Sequence, residues 1–114
     1  MDRRHRLTRS HDFEQVYRKG RSVSTRFFVL YVLSQGDEPG DARLGLAVPR
    51  AVGPAVVRNR LKRQLRELWR SRSSAGPGRD YVLIVRPGLA EAAEARGSEW
   101  LGSCLDEVVE KAAA

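Results

Sequence analysis

The sequence predicts an α+β fold: a two-layer sandwich in which helices pack on a small mixed sheet, in the order α-β-β-α-β-α. Three observations carry this. Runs rich in β-branched and aromatic residues stand at 26–34, 42–49 and 81–86. Segments of helical period flank and separate them. Turn residues mark the boundaries, at Asp37-Glu38-Pro39-Gly40-Asp41, Gly53-Pro54, the SRSSAGPG stretch at 71–78 and Pro87-Gly88.

Taken in order, residues 10–19 form a short helix. Ser10 is placed to cap it, Asp12 and Glu14 favour its positive first turn, and Gly20 ends it. Phe13, Val16 and Tyr17 share one face. RFFVLYVLS at 26–34 is the first strand. Leu44, Leu46 and Val48 line one face of the second, which Pro49 stops. These two strands are close enough in sequence to form a hairpin. Proline is tolerated in a first helical turn, so Pro54 opens a helix that runs to about Arg72. YVLIVR at 81–86 is the third strand. A last helix, from about Ser98 to Lys111, carries Trp100, Leu101, Leu105, Val108 and Val109 as its apolar stripe. The long helix between the second and third strands makes a central βαβ unit.

A chain of 114 residues with 41% hydrophobic residues implies one folded domain. Residues 1–8 read as a flexible basic arm and 54–72 as a basic helix. One cysteine, Cys104, allows no internal disulfide and fits a reducing compartment. The polar start MDRRHRLTRS has no apolar signal core, and FFVLYVL is too short to span a bilayer. A cytoplasmic location is expected.

The net charge of +7 and pI near 10.5 favour a polyanionic partner. The charge is concentrated. Residues 54–72 hold seven Lys/Arg against one Glu, and residues 1–26 hold eight against three acids. At 100° per residue, Val57, Leu61, Leu65 and Leu68 fall on one face of the long helix. Asn59, Arg63, Arg66 and Arg70 fall on the opposite face, flanked by Arg58 and Lys62 on one side and Arg60 on the other. Glu67 is spaced to meet Arg60 or Arg63. From Asn59 to Arg70 the rise is roughly 16 Å, enough to follow two or three phosphates. Guanidinium forks match phosphate oxygens bidentately, which suits a row in which six of seven cations are arginine. Solvated helix faces normally mix charge signs, and this one does not.

Other classes fit less well. His5 and His11 have no paired carboxylates beside them, and no metal-ligand spacing, phosphate loop or nucleophile elbow occurs. No catalytic residue and no bound metal are therefore expected in the protein. A membrane-surface helix would need the apolar face that the sheet requires. A structural RNA-binding protein, such as a ribosomal protein, shares the charge and the helix.

Residues 53–67, GPAVVRNRLKRQLRE, resemble the signature of the protein subunit of bacterial ribonuclease P. Ala55, Val56, Arg58, Asn59, Arg60, Lys62, Arg63, Arg66 and Glu67 match that pattern. The likeness extends through Arg6-Leu7, Asp12-Phe13, Val16-Tyr17, Gly20, Ser22-Val23, Phe28 to Tyr31, Leu44 to Val48 and Asp80 to Pro87. The chain departs at Pro49-Arg50-Ala51, where the family often has Ser-Lys-Lys, and at Pro54.

The resemblance implies a partnership with a large catalytic RNA that performs the chemistry, with Mg2+ held at that RNA. The holoenzyme is an endoribonuclease that removes the 5′ leader of precursor tRNA, and the protein grips the single-stranded leader. No small-molecule substrate or membrane partner is implied. Arg58, Asn59, Arg60, Lys62, Arg63, Arg66 and Arg70 would contact RNA. Phe13, Tyr17 and Tyr31 would line the leader cleft, although on pattern alone Phe13 serves equally as core. Arg6, Arg9 and Arg50 would add phosphate contacts, as would Arg3 and Arg4 unless the arm is merely solvated. The family's βαβ unit has a left-handed crossover, an exception to the usual rule.

Overall fold

The computed structural model describes residues 5–36, 39–72 and 76–113. Arg3, Arg4 and the rest of the arm at 1–4 lie outside them, as do parts of the turn at 37–41 and the loop at 71–78. Helix α1 spans Ser10–Lys19. Strands β1 (Arg21–Ser24), β2 (Phe28–Ser34) and β3 (Arg43–Ala47) follow. A 3-10 turn at Arg50–Val52 leads into α2 (Ala55–Arg72), and β4 (Arg79–Val85), α3 (Leu89–Arg96) and α4 (Ser98–Ala113) complete the chain.

The sheet runs β1-β2-β4-β3. β4 pairs antiparallel with β2 and parallel with β3, placing Tyr31 opposite Val82 and Leu44 opposite Tyr81. The β3–α2–β4 unit is therefore present as expected. The hairpin expected between the strands at 26–34 and 42–49 is not, because β4 inserts between them. The hairpin is instead β1–β2, closed where Thr25 N–H donates to the Phe28 carbonyl at 2.8 Å. Two elements carry too little pattern to be read from sequence. β1 is RSVS, with one apolar residue, and α3 is LAEAAEAR, which buries only Leu89.

Strand alternation sorts the core onto two faces. Phe28, Leu30, Val32, Leu44, Tyr81, Leu83 and Val85 point to one side and meet Leu61, Leu65 and Trp69 of α2 and Leu101, Leu105 and Val108 of α4. This is the main helix-on-sheet core. Trp69 continues the α2 stripe four residues beyond Leu65 and packs edge-to-face on Tyr81 at 5.2 Å. Leu68, expected in the stripe, is only half-buried. On the opposite side Val82, Ile84 and Tyr31 are covered by α1, through Val16 and Phe13, and by Leu7. Leu7 N–H donates to the Leu44 carbonyl at 3.0 Å, and Arg6 bridges to Leu44 in parallel, so the segment after residue 4 borders β3.

Helix α1 starts without a side-chain cap, since Arg9 rather than Ser10 holds the capping position. Its end depends on space rather than on unusual torsion. Gly20 has φ −77°, yet a Cβ there would sit 2.6 Å from the Val16 carbonyl oxygen and 2.7 Å from that of Val32. Gly45 has the same role in β3: a Cβ would lie 2.6 Å from the Phe13 ring and 3.2 Å from the Leu7 Cβ. Glycine thus lets the Phe13 ring rest on the strand backbone. Gly45→Ala is expected to lower stability by about 1–3 kcal/mol through overpacking. Urea denaturation checks this, and an unchanged midpoint would show that the ring shifts freely.

Candidate nucleic-acid interface

Helix α2 buries Leu61, Leu65 and Trp69 and turns its charged side outward. Asn59, Arg60, Arg63 and Arg70 are exposed, while Arg58, Lys62 and Arg66 are half-buried. Arg58 folds back, its Nε donating to the Gly53 carbonyl at 3.1 Å. Glu67 pairs with Arg70 one turn on, not with Arg60 or Arg63 as its spacing allowed. Among the described residues no acidic side chain forms an ion pair with Arg60, Lys62, Arg63 or Arg66. Burial holds the Arg66 pKa below its ordinary value, and the like charge of Arg6 lowers it further. Among the described residues neither arginine forms an ion pair with an acid.

The last arginine of the helix has a different task. Arg72 crosses Gly102, where a Cβ would meet its guanidinium at 2.7 Å. It bonds Asp106 at 2.9 Å and Glu99 at 3.2 Å. That fork fastens α2 to α4.

The three rings expected in a cleft do come together. Tyr17 meets Tyr31 edge-to-face at 5.1 Å, and Phe13 lies 6.4 Å from Tyr17. Residues four apart on α1 place Phe13 and Tyr17 on one face, and Tyr31 projects from the β2 side that α1 covers. Phe13, pressed on Gly45, is largely a packing ring. Tyr17 is 39% exposed. Burial raises its pKa above the ordinary tyrosine value, and Tyr31 adds to that rise.

A polar hub sits beside these rings, and sequence reasoning missed it. Asp80 is only 7% exposed. Arg43 grips it with both ends of its fork, Nε at 2.9 Å and Nη2 at 2.7 Å. Gln35 Nε2 donates to the same carboxylate at 2.9 Å, and Arg43 also reaches Asp12 of α1 at 3.8 Å. The hydrogen bond to Asp80 raises the Arg43 pKa. The available signal was a charge at the start of each of two strands, Arg43 and Asp80, which parallel pairing sets side by side.

The rings and the basic row lie on opposite faces of the sheet. They approach one another at the β3 edge, where Arg6 is bound to Leu44 and stands near Arg66. Arg9, at the head of α1, and Arg50, in the 3-10 turn, are exposed. Among the described residues no three His, Cys, Asp or Glu side chains group as metal ligands, and no helix is long and apolar enough to cross a membrane.

A mixed sheet backed by a helix with an unneutralised row of arginines, and faced by a partly open ring cluster, defines a polyanion-binding protein. Known proteins agree. The Ribonuclease P family model matches residues 1–111. The ribonuclease P protein component of Geobacillus kaustophilus is 38% identical over 92 residues, covering 80% of this chain and 75% of that protein. The Bacillus cereus protein is likewise 38% identical, with 79% of it covered. The ribonuclease P protein structures of Thermotoga maritima and Staphylococcus aureus superpose with TM-scores of 0.82 and 0.80, at 31% and 30% identity. They cover 93% and 95% of this chain, and the match spans 96% and 94% of theirs. The chain belongs to the ribonuclease P protein family.

Removing the centre of the hub should loosen what it joins. Arg43→Ala leaves the Asp80 carboxylate buried beside Gln35 alone. Arg43 is itself about a third exposed, so we expect a loss of about 1–2 kcal/mol rather than that of a fully buried pair. Hydrogen exchange should also quicken in α1. Protection of α1 equal to that of the parent chain would show that Asp12 does not depend on Arg43.

Proposed function

We propose that this chain acts as the RNA-binding, non-catalytic subunit of a ribonuclease P holoenzyme. It docks on the catalytic RNA and holds the single-stranded 5′ leader of precursor tRNA, while the RNA, with its Mg2+, cleaves the phosphodiester bond. The observation that carries this reading is the row Arg60, Lys62, Arg63 and Arg66, which is left without acidic partners among the described residues. Four cations on about two turns of helix repel one another, and a phosphate backbone supplies the counter-charge. Asn59 and Arg70 extend the row at its ends, and Arg58 holds its first turn.

Arg6, bound along β3, carries the positive surface from α2 toward α1. Arg9 and Arg50 widen it. Tyr17 gives a sequence-tolerant platform for an unpaired base, with Tyr31 bracing its ring and Phe13 fixing the helix that bears it. A single-stranded leader needs both parts: stacking surface for its bases and cations for its phosphates.

The protein alone should leave precursor tRNA intact, and with its RNA it should favour leader-bearing over mature tRNA. Arg63→Ala with Arg66→Ala should weaken binding to the RNA and flatten its log-log salt dependence by roughly 0.7–0.9 for each phosphate no longer neutralised. An unaltered slope would mean that these side chains touch no phosphate. Tyr17→Ala should cut the preference for leader-bearing substrate by about tenfold, since base–ring stacking contributes ~1–3 kcal/mol, while Tyr17→Phe should keep it. Competition binding of precursor and mature tRNA reads this directly; equal preference in all three proteins would remove Tyr17 from the leader site.

A further inference from the structure

A second ring-and-arginine surface lies across the sheet from Tyr31, beyond the α3–α4 corner that Arg60 borders. It is formed where the β1–β2 turn meets α3 and α4. Phe27 and Trp100 stand edge-to-face at 5.4 Å, and both are half-buried. Each ring carries a guanidinium: Arg26 over Phe27 at 5.2 Å and Arg96 over Trp100 at 5.4 Å. A cavity of about 300 Å³ opens there, lined also by Thr25, Ala92 and Cys104. Both rings pack toward the main core, on the side of the sheet opposite Tyr31.

Charge around this cavity is one-sided. Arg26 and Arg96 are exposed and have no acidic partner among the described residues. Arg86 donates to the Thr25 carbonyl at 3.0 Å and Lys111 to the Ser24 carbonyl at 2.7 Å, so two further cations brace the turn. Among the described residues Glu107 is the one acid lining the cavity. Guanidinium groups placed over rings are positioned without being neutralised. They offer an unpaired base a stacking surface and offer its phosphate a donor fork.

We propose that this cavity is a second RNA-binding site, which takes an unpaired nucleotide of the large RNA partner by stacking on the Arg26–Phe27 and Arg96–Trp100 pairs. The inference rests on the reading that the chain assembles with RNA. It adds a contact on the face of the protein that the leader does not occupy and extends the RNA surface past Arg60 to the α3–α4 corner.

The test uses the full chain and the ribonuclease P RNA. Because Arg26 and Arg96 are exposed, Arg26→Ala with Arg96→Ala should keep the parent's thermal midpoint. The double variant is expected to bind the RNA about tenfold more weakly, with its preference for leader-bearing tRNA unchanged. Photo-crosslinking locates the contact. In a Cys104→Ser background, Ala95→Cys, exposed and next to Arg96, supplies a single thiol beside the cavity for a benzophenone label. A crosslink to a discrete RNA position, abolished by excess unlabelled protein, supports the site. A crosslink joining two copies of the protein, or none to RNA, overturns it. A parent chain that binds the RNA normally, beside a double variant that binds it equally well, overturns this site alone. A parent chain that binds no RNA removes both this site and the functional reading beneath it.

Discussion

Burial of the apolar side of α2 is what allows the rest of the surface to exist. Leu61 and Leu65 are 3% and 0% exposed, and Trp69 joins them against the sheet. Fully burying a large apolar side chain stabilises by ~1.5–3 kcal/mol, so three such residues contribute on the order of 5–9 kcal/mol. Like-charge neighbours one helical turn apart cost only about 0.2–0.5 kcal/mol per pair. Burial therefore outweighs the repulsion within the cationic row by a wide margin. The helix can present unneutralised charge because its other side is anchored in the core. A charged helix without that anchor would lack the energy to stay folded in the absence of its partner.

The second constraint is the carboxylate of Asp80. It lies at the start of β4, the strand that joins the β1–β2 hairpin to β3. Arg43, Gln35 and, through Arg43, Asp12 converge on it, so one buried charge fixes β3, the segment after β2 and helix α1 together. Gln35 adds to this by accepting from Gly40 N–H at 2.7 Å and donating to the Asp41 carbonyl at 2.9 Å. The ring cluster depends on that arrangement. Tyr17 meets Tyr31 only while α1 lies across β2 and β4, and Phe13 reaches Gly45 only while β3 stays in register.

How much of this was legible depended on whether the signal was local. The long helix was plain from its period, and so was its apolar stripe, because Leu61 and Leu65 repeat at four. Trp69 belongs to the same series and needed only one more step along it. The cationic row followed from the same wheel. Strand pairing was a different matter. Nothing in FFVLYVL or RLGLA states which neighbour each will take, and β3, the next strand along the chain, is not a partner of β2. The Arg43–Asp80 pair was unreadable for that reason, since it exists only once β4 lies between β2 and β3. Phe27 and Trp100 were hidden similarly: Trp100 reads as one more member of the α4 stripe until the β1–β2 turn is brought against it. The cluster of Phe13, Tyr17 and Tyr31 was expected through family resemblance. Their residue types alone do not distinguish a platform from a core.

The arginines themselves separate into two kinds, and the acids make the division. Arg43 has Asp80 and Asp12, Arg72 has Asp106 and Glu99, and Arg18 has Glu14. The first two of these sets join different elements of the fold. The chain contains 14 acidic residues, more than enough to neutralise four cations on α2, yet among the described residues only Glu67 pairs on that helix's outer side, and it takes Arg70. Arg60, Lys62, Arg63 and Arg66 are left to solvent and to each other, with Arg6 brought up to Arg66 by the β3 edge. Holding like charges together in this way is unfavourable for the isolated protein and favourable for a complex with phosphate. Each phosphate that enters relieves a repulsion as well as adding an attraction, and it does so without first displacing an internal acid. The same reasoning applies to Arg26 and Arg96, where rings take the place that carboxylates hold elsewhere. A guanidinium laid on a ring is oriented without being neutralised, and that is the state in which it can still receive an anion.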